Sequence, residues 1–267
     1  REKTGAGMLD VKKALDEANG DAEKAIEIIR VKGLKGIAKR EGRAASAGLI
    51  AAKVVDSGNS QVGVLVEINA ETDFVAKNQK FLDYAEQVLT AALDSGATDA
   101  DALAEVKVDG STVKELTDGM QAVIGEKIVV RRVGRLEADK IELYLHRTNP
   151  DLPAQVGVLV GTDAKAAEVA HDVAMHIAAY SPAYATREDI PTEVVDKERA
   201  IAEETTRAEG KPEKAIPKIV EGRLNGFFKE NVLVDQAFAK DPKTTVGKVV
   251  EATGGELTGF VRFRVGA

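Results

Sequence analysis

The sequence predicts an α+β fold in which a duplicated core of antiparallel sheets and helices follows a small helical module. Apolar residues first recur at helical spacing, and from Ala47 onward they form runs rich in β-branched residues. The pentapeptide VGVLV then occurs twice, at 62–66 and at 156–160. The elements around each occurrence follow one order, namely hairpin, helices and strand, which predicts two copies of one structural unit.

Residues 1–32 are predicted to form the helical module. Apolar residues repeat along one helix face up to Ala18, and Asn19-Gly20 ends the helix because both residues tolerate the left-handed cap conformation. Asp21 is a suitable N-cap for a second helix. Since two short helices bury little apolar surface, we expect a third helix upstream or within residues 1–4.

Residues 33–46 are predicted to be a basic linker, because glycines interrupt the stretch at positions 33, 36 and 42. We interpret its charges as a solvated surface, and a strip that binds phosphate or a partner is the alternative. The basic strip consists of Lys32, Lys35, Lys39, Arg40 and Arg43.

The two core copies are predicted at 47–139 and at 140–181 with 230–267. In the first copy, the turn DSGNSQ joins two strands into a hairpin. We expect strands at 48–55, 62–68 and 128–137 and helices at 78–93 and 112–123. In the second copy, we expect strands at 141–146, 156–162 and 261–266 and helices at 164–179 and from Thr245 onward.

Residues 182–229 are an insert in the second copy. Two helical stretches, Thr192–Ala208 and Ala215–Phe228, flank Gly210-Lys211-Pro212, which breaks the helix. Two helices joined by a tight turn form an antiparallel arm that projects from the core. The arm is either a structural embellishment or a surface for docking or self-association.

The composition of the chain limits the classes of function that it can have. The chain has 267 residues, of which 44% are hydrophobic and 30% charged, as in soluble globular proteins. Its net charge of −7 argues against direct nucleic-acid binding, which favours a basic face. The absence of a long apolar run predicts no membrane span. The absence of cysteine excludes disulfides and thiolate metal sites and fits the cytoplasm.

Motifs of enzyme chemistry are missing from the sequence. It contains no phosphate-binding loop and no nucleophile elbow, and its glycine cluster at 254–259 precedes a strand and is predicted to be a turn. His171 and His176 are five residues apart, about 140° around a helix, which does not suit one metal. We therefore expect no catalytic residue, metal or cofactor and a binding protein rather than an enzyme; a hydrolase with an unrecognised carboxylate site is an alternative.

The stretch NAETDFVAKN, which follows the second predicted strand, contains an aromatic of uncertain role. In one helix unbroken from Thr72, Phe74 would share the apolar stripe of Phe81 and pack in the core. Thr72 and Asn78 are both good N-caps, however, and a break at Asn78 would free Phe74 from that stripe. The second copy has GTDAKA at 161–166 in this place, so the corner can be built without an aromatic.

Four segments carry a resemblance to a known family: TGAGMLDVKKALDEANGD at 4–21, ETDFVAKN at 71–78, IGEKIVVRR at 124–132 and TGFVRFRVG at 258–266. They are similar to segments of the bacterial elongation factor Ts family. Members of this family are guanine-nucleotide exchange factors for the translational GTPase elongation factor Tu. With the duplicated core and the arm, the resemblance covers nearly the whole chain.

The resemblance implies two contact regions in the amino-terminal half. It implies that residues 1–32 form a three-helix module like a ubiquitin-associated domain, which docks on the nucleotide-binding domain of the GTPase through Arg1, Met8 and Leu9. It also implies that Asp73 and Phe74 insert as a wedge between two helices of the GTPase near its Mg²⁺ and phosphate site. The residues expected around this contact are Thr72, Asp73, Phe74 and Val75, with Ile124 in a supporting loop.

The resemblance further implies that the second core copy grips another domain of the GTPase, through His146, Phe238, Ala239 and Lys240. The expected partner is elongation factor Tu, both GDP-bound and nucleotide-free, and self-association through the arm is a further expectation. The alternative function is a scaffold or chaperone-like adaptor that uses the module and the arm without exchanging nucleotide.

Overall fold

A computed structural model describes residues 3–267 and confirms a mixed helical and sheet fold with antiparallel sheets. The amino-terminal part contains α1 (Met8–Glu17), α2 (Ala22–Arg40), β1 (Ala47–Ser57), β2 (Ser60–Ala70), α3 (Asp73–Ala76), α4 (Gln79–Ser95), α5 (Ala100–Ala104), β3 (Lys107–Val108), β4 (Ser111–Thr112), α6 (Val113–Ile124) and β5 (Val129–Ala138). The remainder contains β6 (Lys140–His146), β7 (Val156–Thr162), α7 (Ala170–Tyr180), α8 (Thr192–Ala208), α9 (Ile216–Asn231), α10 (Val246–Glu251) and β8 (Leu257–Arg264).

The helical region at the start of the chain differs from the prediction. Asp21 caps α2 by accepting hydrogen bonds from Glu23 and Lys24, as expected, but α2 does not end before Gly33. It continues through most of the predicted linker because Gly33 lies against α6, where an added Cβ would be 3.2 Å from the Cβ of Ala122. The glycine therefore permits close helix packing. The expected third helix is absent from residues 3–7, and residues 1–2 lie outside the described range.

The first sheet has the strand order β1-β2-β5, with antiparallel pairing throughout. Its β1–β2 hairpin turns at Gly58-Asn59, between the paired residues Ser57 and Ser60. Helices α4 and α6 cover one face of the sheet. The largest fully buried side chains of this core include Phe81, Tyr84, Leu89, Leu103 and Ile68.

The second sheet has the order β6-β7-β8 and is also antiparallel. Helix α7 packs on one face of this sheet. The predicted helix at 164–179 is shorter than expected, because Ala166–Val169 forms a 3-10 turn before α7 begins at Ala170. Thr245 caps α10 by accepting a hydrogen bond from Lys248, as Thr112 caps α6 at Glu115.

The two sheets pack face to face through the VGVLV segments. A Cβ added to Gly63 would lie 3.0 Å from Leu159, and one added to Gly157 would lie 3.3 Å from Leu65. Each glycine thus makes room for the leucine of the other segment. The buried layer between the sheets consists of Ile50, Leu65, Ala138, Ile141 and Leu159.

The insert forms an antiparallel helical arm. Its first helix agrees with the predicted range, and the second runs over Ile216–Asn231 with Pro217 in its first turn, where a missing N–H is harmless. A small apolar seam joins the helices: Ala202, Ile216, Val220 and Leu224. At the base, Arg187 forms an ion pair with Asp235, at 2.8 Å, and lies over the ring of Phe228.

Candidate functional site

The first corner (residues 71–78), between β2 and α4, is broken into two capped segments. The Thr72 hydroxyl accepts a hydrogen bond from the backbone N–H of Val75, at 3.4 Å, and caps α3. The Asn78 side chain accepts from the N–H of Lys80, at 2.9 Å, and caps α4. The single unbroken helix is therefore wrong, and Phe74 is decoupled from the apolar stripe of α4.

The side chain of Phe74 is exposed. Its relative exposure is 79%, whereas Val75 and Ala76, the next two residues, are buried in the first core. The ammonium nitrogen of Lys77 lies 5.4 Å from the Phe74 ring centroid. Asp73, the preceding residue, is also exposed. The corner thus presents a carboxylate and an aromatic ring to solvent side by side.

A shallow groove beside Phe74 joins this corner to the end of α6. Ile124, the last residue of α6, lines the groove with Val123 and with residues of the corner. The structure therefore brings Ile124 next to Phe74, at the end of α6 rather than in a loop. Val75 differs from the expectation, because it is buried beneath the corner and supports it rather than facing a partner.

Two glutamates that the sequence analysis did not select hold the corner. The Glu126 carboxylate accepts hydrogen bonds from the backbone N–H groups of Glu71 and Thr72, each at 3.1 Å, and from the Thr72 hydroxyl at 2.7 Å. In return, the Glu71 carboxylate accepts from the N–H of Lys127, at 2.7 Å. Both glutamates occur in the quoted signature segments, but their contact joins residues 54–56 apart, so no local pattern reveals it.

The charge of Glu71 is stabilised in the folded protein. The backbone hydrogen bond from Lys127 is the main cause that holds the pKa of Glu71 below its ordinary value, against the opposing effect of burial. Arg43 adds to this effect through an ion pair at 3.3 Å. The last residue of the basic strip thus contacts the corner, which the interpretation as a purely solvated linker did not include.

The amino-terminal helices present further apolar side chains. Met8 and Leu9, in the first turn of α1, are 70% and 68% exposed. Both side chains are therefore accessible to solvent on the outer face of α1. Arg1, the third residue selected in this region, lies outside the described residues. Helix α2 packs against α6, and Arg40, its last residue, donates a hydrogen bond to the backbone oxygen of Gln121.

In the second core, His146 and Lys240 lie on either side of the first turn of α7. The imidazole Nδ1 of His146 is 3.1 Å from the hydroxyl of Tyr144, whose ring meets the edge of His171. The Lys240 ammonium forms an ion pair with Asp172, at 2.8 Å. His171 and Asp172 are consecutive in α7, so the two predicted contact segments reach neighbouring residues of one helix.

Phe238 differs from the expectation for this surface. Its ring is only 5% exposed and packs in the second core, so it supports the turn and does not present itself to a partner. The adjacent Ala239 and Lys240 are exposed. The backbone N–H of Ala239 donates to Nδ1 of the buried His176, at 3.0 Å, and this bond anchors the turn.

His176 is held as a neutral side chain. Its Nδ1 accepts from Ala239, so its Nε2 carries the proton and donates to Oε1 of Gln236, at 2.8 Å. Burial is the main cause that lowers the pKa of His176. His171 is exposed, and the two imidazoles do not converge. Among residues 3–267, no group of three or more acidic or histidine side chains is arranged to hold a metal ion.

The comparisons with known proteins agree with this geometry. A family model described as Elongation factor TS matches residues 71–267. The chain is 68% identical to elongation factor Ts of Beutenbergia cavernae, over 100% of this chain and 96% of the relative. It is 62% identical to that of Micrococcus luteus and 60% to that of Paenarthrobacter aurescens, over 100% of this chain and 95% of each relative. The chain therefore belongs to the elongation factor Ts family of translation elongation factors.

Proposed function

We propose that this chain is the guanine-nucleotide exchange factor for elongation factor Tu and that it acts by inserting Asp73 and Phe74, the wedge, into the GTPase. The observation that carries the proposal is the 79% exposure of Phe74 at a corner where the next two residues, Val75 and Ala76, are buried. An apolar ring that contributes nothing to its own core is available for a partner's core. Fully burying such a side chain contributes about 1.5–3 kcal/mol.

Exchange needs binding, and it needs no covalent chemistry. If the factor weakens GDP binding, GDP weakens factor binding by the same free energy, because coupling between two sites is reciprocal. The factor therefore needs surface beyond the wedge to remain bound to a GTPase that still holds nucleotide. Met8 and Leu9 on the module and the exposed His146 and Lys240 on the second core would supply it.

The wedge combines two effects on the partner. The Phe74 ring would separate packed helices of the GTPase, and Asp73 would perturb polar groups around its Mg²⁺, a hard cation that binds oxygen ligands. In such a mechanism, the factor binds both the GDP-bound and the nucleotide-free GTPase. It takes place in the cytoplasm, where translation elongation occurs, and involves no direct contact with nucleic acid.

The two halves of the core would be copies of one unit with different tasks. The common strand orders and the reciprocal packing of Gly63 and Gly157 support this proposal. The first copy would carry the wedge, and the second would bind another domain of the GTPase. Residues 1–32 would be a module of the ubiquitin-associated type, and the arm at 182–229 would be available for self-association.

Release of a fluorescent GDP from elongation factor Tu tests the proposal. We expect the wild type to accelerate release and the Asp73→Ala and Phe74→Ala variants to do so less. If the wild type binds the GTPase but leaves the release rate unchanged, the chain is a scaffold or adaptor. If both variants match the wild type, exchange does not use this wedge. Sedimentation of a chain lacking residues 191–229 tests whether the arm mediates self-association.

A further inference from the structure

We propose that Glu126 is a positioning residue for nucleotide exchange, because it holds the wedge in its inserting geometry before the GTPase binds. This inference rests on the proposed function. Glu126 lies in the loop between α6 and β5, outside the corner itself, and is half-buried. Its three hydrogen bonds all go to Glu71 and Thr72, the two residues that precede the wedge.

Glu126 fixes the direction of the hydroxyl that caps α3. The Thr72 hydroxyl donates its proton to Oε1 of Glu126, at 2.7 Å, so a lone pair of the same oxygen is free to accept from the N–H of Val75. The cap and the carboxylate contact therefore support each other. Hydrogen bonds to an ionised acceptor are stronger than neutral ones, so the carboxylate is well suited to this task.

The wedge is anchored on its carboxy-terminal side by the buried Val75 and Ala76 and on its amino-terminal side by Thr72 and Glu71. Helix α3 has only four residues, and so short a helix does not persist in water on its own. Phe74 is largely exposed, so core packing does not set its orientation. The direction of the ring therefore depends on how the backbone is held at both ends of α3, and on the amino-terminal side it is held by Glu126.

The same loop connects the wedge to the end of α2. Lys127 donates its backbone N–H to Glu71, and its ammonium group donates to the backbone oxygen of Glu41. Arg43 pairs with the Glu71 carboxylate from the other side. The end of α2 and the wedge are therefore joined through this loop, so that docking of the helical region presents the wedge at a defined position.

One assay measures two quantities, and the proposed role of Glu126 predicts a different effect on each. The plateau rate of GDP release at saturating factor reports how well the wedge works once bound, and the half-saturating concentration reports overall binding. For Glu126→Ala, we expect the plateau to fall roughly tenfold or more, since small misplacements of positioned groups have effects of this size. The half-saturating concentration should change less, because the module and the second core still bind.

Four further variants make the test specific. Thr72→Ser keeps the hydroxyl and should behave as the wild type, whereas Thr72→Val loses it and should lower the plateau. Glu126→Gln keeps only one oxygen acceptor and should fall between the wild type and Glu126→Ala. Glu86→Ala, which removes an exposed carboxylate from α4, is the matched control and should change neither quantity.

Amide hydrogen exchange at Thr72 gives a readout that does not involve the GTPase. We expect faster exchange in Glu126→Ala, with the circular dichroism spectrum of the wild type. If Thr72 exchanges faster but the plateau is unchanged while Phe74→Ala lowers it, the positioning role is wrong and the wedge stands. If Thr72 exchange does not change, Glu126 does not hold the corner. If the wild type does not accelerate the release of GDP from the GTPase, the proposed function and this inference both fail.

Discussion

The two strand-to-helix corners of the core are built differently. At the first corner, the carboxylate of Glu126 fills the space between the corner and the loop before β5. At the second corner (residues 161–166), the loop before β8 contacts the corner directly, since the N–H of Asp163 donates to the backbone oxygen of Glu256, at 3.1 Å. A Cβ at Gly255 would clash there with Asp163 and Ala166.

The difference shows how one architecture serves two purposes. The second corner is closed by backbone packing, and Asp163 caps it by accepting from the N–H of Ala166 at 2.9 Å. Its exposed residues are small or flexible, namely Ala164 and Lys165. The first corner depends on side-chain hydrogen bonds and exposes a Phe. A feature that the fold does not need is thus confined to one of the two corners.

The largest effect is expected when the aromatic ring is moved from one corner to the other. Phe74→Ala should lower the plateau rate of GDP release roughly 10- to 100-fold, because losing the burial of a Phe side chain costs about 1.5–3 kcal/mol. Adding Ala164→Phe to this variant should not restore the rate, since the second corner lacks the Glu126 contacts. If the added Phe restored the rate, the position of the ring would not matter, and its hydrophobicity alone would explain the effect.

The next largest effect concerns the contact between the sheets. Gly157→Ala places a methyl group 2.6 Å from Ile50, which is branched and held in a strand, so we expect a loss of about 1–3 kcal/mol in the free energy of unfolding. Gly63→Ala should cost less, because its neighbours at 3.0 Å are the flexible ends of Leu159. Urea denaturation measures both. Equal losses would show that the two sides of the contact are equally rigid.

A smaller effect is expected at the cap of the first corner. Thr72→Ala removes the α3 cap and the hydroxyl bond to Glu126, and the loss of an N-cap costs about 0.5–2 kcal/mol. Thr72→Ser should restore most of the stability. Thermal unfolding followed by circular dichroism compares them, and an unchanged midpoint for Thr72→Ala would mean that the hydroxyl contributes nothing to the corner.

The smallest effect is a pH dependence that arises in the second core. Burial lowers the pKa of His176, so the unfolded chain binds more protons than the folded chain between the folded pKa and the ordinary histidine value of about 6.5. The stability is therefore fully present above about pH 6.5 and is lost as the pH falls through the folded value.

The turn at Ala239 should loosen in the same pH range, because protonated His176 has no lone pair for its N–H. Nitrogen chemical shifts of the imidazole and amide exchange at Ala239 measure this change. A His176 ring that carries its proton on Nδ1 at neutral pH would contradict the assignment.

Most of the fold and part of the site could be predicted from local sequence. The caps Thr72 and Asn78 lie within the segment that they break, so the break could be predicted from short-range chemistry, whereas the exposure of Phe74 was implied by the family resemblance. The continuation of α2 past Gly33 could not be predicted from local sequence, because the packing of that glycine on Ala122 is a tertiary contact. The role of Glu126 could not be predicted for the same reason, since its hydrogen-bond partners are more than fifty residues away in the sequence.

The unbroken course of α2 has a consequence for the strength of binding. A flexible linker of 14 residues would spread its two ends over about 20 Å and dilute the second contact. Helix α2 has 19 residues and is therefore a stiff rod of about 28 Å. If the helical region and the wedge both bind the GTPase as proposed, binding at one end of this rod presents the other contact surface at a high effective concentration, so that two weak contacts combine into one avid interaction.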